Sequence, residues 1–364
     1  MTGFIKLSLS QTEEDAKKCL QWFFHLLLLG LFLIKPTSAL AQSHFNFSSL
    51  PAAYKTALAN SLQTTLEATQ GLLALKSASL INAQGNDCTQ FSSDGICAQL
   101  GVRYTELASP KISSKSIIFN TAYKYSKNWH FGTYIDAGNI ASQPSFSDVQ
   151  QRGHNPIYGI YSVFSEQLAG QPFFLRLGAN MGSTELELSS PNIANLGSLS
   201  RTYNIQGQSY LAVVGTPLPL NEKLIFLPYL GTTYTSLKID GDNNNSSRLS
   251  NLPIVFNDVS ANIFALQIGF NTLYRKSESL SFSASAGIQH TLTSYMTNVN
   301  VPQSSLYSSY TGQTDLANNV PVFTANVKYI TLPNQELGAK ISYRQEVYQR
   351  IGVSSYMLTY SIGF

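Results

Sequence analysis

Every second residue from Tyr356 to the last position is large and apolar: Tyr356, Leu358, Tyr360, Ile362 and Phe364. Between them lie Met357, Thr359, Ser361 and Gly363. A period of two puts one greasy and one polar face on an extended strand. The same alternation begins near Ala98-Leu100-Val102-Tyr104 and recurs through the chain. It predicts strands over 98–104, 117–125, 129–137, 156–165, 173–181, 203–213, 227–237, 264–270, 280–288, 323–329, 337–343 and 356–364. The links between them alternate too. Those at 126–128, 166–171, 217–223, 275–278 and 333–336 are short, and those at 139–154, 189–200, 241–256 and 297–318 are long. The expected fold is therefore all-β: an antiparallel transmembrane β-barrel of twelve strands, with short turns at one end and longer loops at the other.

Composition decides between lipid and water as the solvent of the greasy face. Charged residues make up 12% of the 364-residue chain, against about 25% in ordinary soluble domains. Phe and Tyr number 20 each, yet mean hydropathy is only −0.03. Apolar residues are thus abundant but interleaved with Ser, Thr, Asn and Gln, as lipid-facing and lumen-facing positions require. Charges inside the strands fall out of phase with the apolar face. Arg103, Lys124, Asp136, Arg176, Lys238, Lys328, Lys340 and Arg344 are the expected lumen-lining set. An Arg or Lys facing lipid at mid-depth would cost about 2–4 kcal/mol. A water-soluble sandwich is the rival fold.

Three regions divide the chain: 1–41, 42–96 and the barrel at 97–364. Lys17-Lys18 precede an apolar run from Leu20 to Ile34, followed by Ala39-Leu40-Ala41. That is the order of a secretory signal peptide, with Ala39 and Ala41 marking cleavage. Export makes Cys88 and Cys97 a natural disulfide pair. In the second region Tyr54, Leu58, Leu62 and Leu66 recur at helical spacing, with Ser48-Ser49 and Pro51 as start signals. An amphipathic helix over 51–76 would be about 39 Å long, enough to cross the ~25 Å apolar band and fill the lumen.

The barrel resembles the translocator domain of autotransporters, the type V secretion family. The resemblance rests on Leu227-Pro228-Tyr229-Leu230-Gly231 leading to Tyr234-Thr235-Ser236-Leu237, on Ala265–Tyr274, and on the terminal Tyr360-Ser361-Ile362-Gly363-Phe364. It implies a helix threading a twelve-stranded pore behind an exported passenger. Residues 42–96 are far too short for the elongated passenger of that family, so the resemblance implies either a stand-alone barrel or a very small exported part. It also implies that Tyr356, Leu358, Tyr360, Ile362 and Phe364 are read by the outer-membrane insertion machinery of a Gram-negative cell. Outer-membrane lipid and periplasmic chaperones are further expected partners, and a monomer is the expected state.

Other chemistry has little support. A net charge of +3 and export argue against nucleic acid. Asp240-Gly241-Asp242 starts like a calcium loop but lacks its closing Glu. His154, beside Arg152, Gly153 and Asn155, has no catalytic partner motif, and His130 and His290 fall at strand positions. No cofactor and no enzymatic activity is expected. The competing functions are a plugged translocator, a porin-like diffusion channel, and an adhesin or receptor using the long loops.

Overall fold

The computed structural model describes residues 70–108, 111–142, 148–151, 156–168, 171–189, 200–240, 247–249, 252–254, 258–297, 317–347 and 351–364, all within one compact unit, Phe45–Phe364. The expected signal peptide with Ala39 and Ala41, the helix start over 51–69, and His154 lie outside these residues.

Twelve strands form the wall: β1 Ile96–Leu107, β2 Ser113–Lys124, β3 Trp129–Ser142, β4 Ile157–Leu168, β5 Gln171–Ser189, β6 Ser200–Gly215, β7 Leu224–Ile239, β8 Val259–Arg275, β9 Leu280–Met296, β10 Asn319–Leu332, β11 Gln335–Gln345 and β12 Gly352–Gly363. Each pairs antiparallel with its sequence neighbours, and β12 returns to pair with β1 from Cys97↔Gly363 to Leu107↔Val353. The sheet closes into a barrel, which leaves no edge strand for another chain to extend. Among the described residues, three short pairings lie outside the ring: Asp148–Gln151 along the end of β5, Leu218–Pro219 along β7, and a hairpin of Ser247–Leu249 with Leu252–Ile254.

Local chemistry sets the two ends apart. The links 125–128, 169–170, 216–223, 276–279 and 333–334 share one end, together with Ile96 and Phe364. Asn221 Oδ1 accepts from the amides of Lys223 and Leu224, and Ser277 Oγ accepts from Leu280 N, so side chains close these turns. The longer links 143–156, 190–199, 240–258 and 297–318 share the other end. Strands of 16 to 19 residues, β5 to β9, stand beside strands of 11 and 12. Crossing an apolar layer takes about 9–11 tilted residues. The surplus therefore rises at the long-link end on one side of the ring.

The outward face is apolar. Leu100, Ile117, Ile160, Met181, Ile268, Ile288 and Leu358 are each more than half exposed, a continuous greasy surface that a water-soluble monomer does not present. The inward face carries large side chains as well. Tyr134 packs on Gly159 and Tyr161 on Gly132, each its partner across β3 and β4. A Cβ at either glycine would fall 2.1 Å from the ring, so only glycine lets the tyrosines lie flat.

Candidate functional site in the barrel lumen

Residues 70–84 are helical and buried nearly all round, though their sequence mixes Leu and Ala with Gln, Lys, Ser and Asn. A helix of mixed polarity is buried on every side only where the surroundings offer both kinds of partner. Three contacts with β5 set its direction. Lys76 Nζ donates to Thr184 Oγ1 at 3.0 Å, Asn180 Nδ2 donates to Leu80 O at 2.6 Å, and the Arg176 guanidinium donates to Gln84 O. The helix ascends in fours as the strand descends in fours. Its N-terminal side thus faces the long-link end.

Contacts with β11 come from the opposite wall, since β5 and β11 are six places apart either way round the ring. Lys340 Nζ donates to Gly85 O at 2.9 Å. Gln84 Nε2 donates to Ser209 O on β6 at 2.8 Å, and Asn120 Nδ2 on β2 donates to Asn86 O at 2.8 Å. A segment held from opposing sides of a closed ring runs through the lumen.

The lumen has two chemically distinct halves. At the long-link half, Leu72, Leu73, Leu75 and Leu80 join a buried cluster with Ile205, Leu237, Ile239, Val259, Ala261 and Ile263. Gly207 leaves the space for this contact: a Cβ there would meet Leu80 and Leu237 methyls at 2.7 and 2.8 Å. Each leucine so buried contributes roughly 1.5–3 kcal/mol. Ser77 and Arg344 both stabilise the ionised Glu346 carboxylate in the β11–β12 link, but burial outweighs them and raises its pKa. Arg344 Nε lies 2.7 Å from Glu346 Oε1 without the alignment of a hydrogen bond.

Toward the short-turn half the partners become ionic. The last carbonyls of a helix carry partial negative charge and have no intrahelical donors. Arg176 supplies such a donor to Gln84 O, and Lys340 and Asn120 donate to the next two carbonyls, Gly85 O and Asn86 O, just beyond the helix. Arg176 also pairs with Asp87, and its guanidinium carbon sits 5.7 Å from the Tyr161 ring centroid. Arg103 and Asp136 form a buried pair on β1 and β3. The basic excess of the lumen thus has a structural partner in the helix C-terminus.

Beyond the helix, residues 85–95 line the short-turn mouth. Cys88 N donates to Tyr161 Oη at 3.0 Å, Lys328 Nζ donates to Thr89 Oγ1 at 3.2 Å, and Gln90 Nε2 donates to Glu336 Oε2 at 2.7 Å. Gly95 turns the chain into β1 with φ of +73°, where a side chain would be strained and would crowd Lys124 O. A disulfide joins Cys88 to Cys97, with Cα atoms 5.9 Å apart.

A family model described as the autotransporter beta-domain matches residues 108–342. The chain belongs to that family. Among solved structures, the translocator domain of autotransporter NalP from Neisseria meningitidis is similar with a TM-score of 0.59 at 14% identity, covering 87% of this chain and 100% of that one. The beta domain of the Bordetella autotransporter BrkA gives 0.51 at 14% identity, covering 74% and 99%. The transport unit of AIDA-I from Escherichia coli gives 0.50 at 11%, covering 79% and 97%. No curated protein matches the sequence. The autotransporter β-domain is a Gram-negative outer-membrane barrel of transport and secretion, and it is assembled with the outer-membrane insertion machinery.

Against this autotransporter fold the sequence expectations divide. Arg103, Asp136, Arg176, Lys328, Lys340 and Arg344 lie on the inward side and meet the helix, its following segment or one another. Lys124 is exposed at the turn end beside Gly95. Lys238 is a correction. It lies on the outward phase of β7, half exposed, paired with Asp240 at 2.8 Å. The reason is an inverted phase in two strands: Ile205, Gly207, Ser209, Thr233, Thr235 and Leu237 point inward, toward the helix rather than lipid. A second correction concerns the helix end. It runs to Gln84, not residue 76, because the barrel satisfies Gln84, and Gly85 then closes a turn onto Asn82 O. Tyr356, Leu358, Tyr360 and Phe364 are exposed on the outward face, and Ile362 is partly so.

Sequence reasoning missed Gln84, Asn86, Asp87, Asn120, Tyr161, Asn180 and Glu336. A usable signal was present for three of them. Asn120, Tyr161 and Asn180 each sit in the inward phase directly after or before an outward apolar residue: Phe119, Ile160 and Met181.

Proposed function

We propose that this chain is an autotransporter-type translocator whose pore is kept closed by its own helix once transport is over. The observation that carries this reading is the grip on residues 70–90 from β5 on one wall and β10 and β11 on the other. The N-terminal side of the described helix faces the long-link mouth, the end through which a translocated segment would leave. A cleaved signal peptide ending at Ala41, recognition of the Tyr356–Phe364 strand by the insertion machinery, passage under periplasmic chaperones and a monomeric barrel complete the proposal.

Planar-bilayer conductance tests the closed pore. The full mature chain is expected to give a quiet membrane, and deletion of residues 42–84 is expected to give steady open currents. Steady currents from the full chain would support a diffusion channel instead.

A further inference from the structure

The disulfide changes how far the helix can travel. Through Cys88 and the sulfur bridge, Gln84 is tied to the start of β1 by four residues and a Cα–Cα step of 5.9 Å. At about 3.3–3.6 Å per extended residue that path reaches at most about 20 Å. Through the backbone alone, from Gln84 to Cys97, the reach is about 45 Å. The difference, about 25 Å, matches the apolar thickness of an outer-membrane barrel, and it exceeds the ~22 Å length of the described helical stretch, 70–84. The bridge thus separates a helix that stays in the pore from one with slack to leave it.

We propose that Cys88–Cys97 is a latch that retains the helix in the lumen, set by thiol oxidation before the barrel closes. This rests on the plugged-pore reading. The noncovalent holds on the same segment are Lys340 with Gly85 O, Asn120 with Asn86 O, Arg176 with Asp87, Cys88 N with Tyr161, Thr89 with Lys328, Gln90 with Glu336, and Phe91 packed 5.3 Å from His130. Each can break and re-form singly, whereas the sulfur bridge cannot open without a thiol or reductant.

Timing follows from burial. Both cysteines are fully inaccessible, and residues 90–92 pack against Gly363 at the end of β12. A partner sulfur cannot reach them once β1 and β12 have paired and the helix is seated. The supplying reaction is thiol–disulfide exchange with a disulfide-bearing oxidant. A thiolate of one cysteine attacks the oxidant's disulfide, the second cysteine resolves the mixed disulfide, and the oxidant leaves as a dithiol. Two electrons pass to the oxidant, together with the two thiol protons.

The test compares three full-length barrels: wild type, Cys88→Ser/Cys97→Ser, and the deletion of 42–84. Heat-modifiable gel mobility first shows that each barrel is folded. In planar bilayers the wild type is expected to stay closed, and the double serine variant, still held by its noncovalent contacts, to open intermittently, with about a tenfold or larger rise in open fraction that stays below the level of the deletion. A double variant as quiet as wild type beside an open deletion would overturn the latch alone. A deletion that stays closed would overturn the plug and the latch together. Should the double variant not fold, wild type that is reduced, alkylated and refolded provides the same comparison. Full reaction of the assembled wild type with a reductant and maleimide under native conditions would contradict the buried, pre-set bridge.

Discussion

At the scale of single residues the lumen is a set of buried charges that must be matched. Arg103 and Asp136 are almost wholly enclosed. Removing Asp136 leaves a guanidinium without its counter-charge, which costs about 3–5 kcal/mol in comparable buried pairs. Asp136→Ala is therefore expected to lower the urea midpoint of the gel-mobility transition substantially, whereas Lys238→Ala, whose pair is half exposed, should shift it little. Glu346 gives a pH signature. Its folded pKa is raised, so the native state holds that proton more tightly than the unfolded chain does. Its contribution to stability then grows as pH falls through the raised pKa and is lost again as pH rises. Wild type should gain stability relative to Glu346→Gln between pH 7 and pH 5, measured by the unfolding temperature in gel-shift assays. The charged residues were legible in the sequence because lipid forbids them on the other face. Their partners were not, because Asp87 and Asn86 lie in an irregular stretch whose path depends on the closed wall around it.

At the scale of elements, β6 and β7 show where a period of two misleads. Alternation says that one face is apolar but not which side it meets. In most strands the apolar face meets lipid, whereas in these two it meets the leucines of the helix. Leu237→Ala opens a void in the buried cluster that also holds Leu80 and is expected to cost about 2–5 kcal/mol. Leu230→Ala, on the exposed face of the same strand, should cost clearly less in the same denaturation assay. Strand existence was readable throughout, and strand length was not. The residues of β9 beyond 288 include His290, Thr291, Thr293 and Ser294, which blur the apolar rhythm. The helix end was misread for a related reason: Ser77, Ser79 and Asn82 stop an amphipathic pattern in water, yet in the lumen Ser77 meets Glu346 and the helix continues past it.

At the scale of the whole molecule, closure is the decisive event. β12 supplies the last pairing, and its outward Tyr356, Leu358, Tyr360 and Phe364 present a greasy stripe up to the chain terminus. Loss of Phe364 is expected to reduce the amount of folded barrel in the outer membrane more than Ile341→Ala, an equally exposed loss on β11. Quantitative blots of heat-modifiable protein check this, and equal yields would argue against a special role for the terminal residue. The central claim is that the helix lies inside the ring in the membrane. Cysteine pairs at Lys76 with Thr184 and at Gly85 with Lys340, bridged by a short bis-maleimide in intact outer membranes, test it most directly. The structure expects intramolecular cross-links in both pairs and none between positions 76 and 340. Absence of cross-links in both contact pairs, with the barrel folded, would contradict the account.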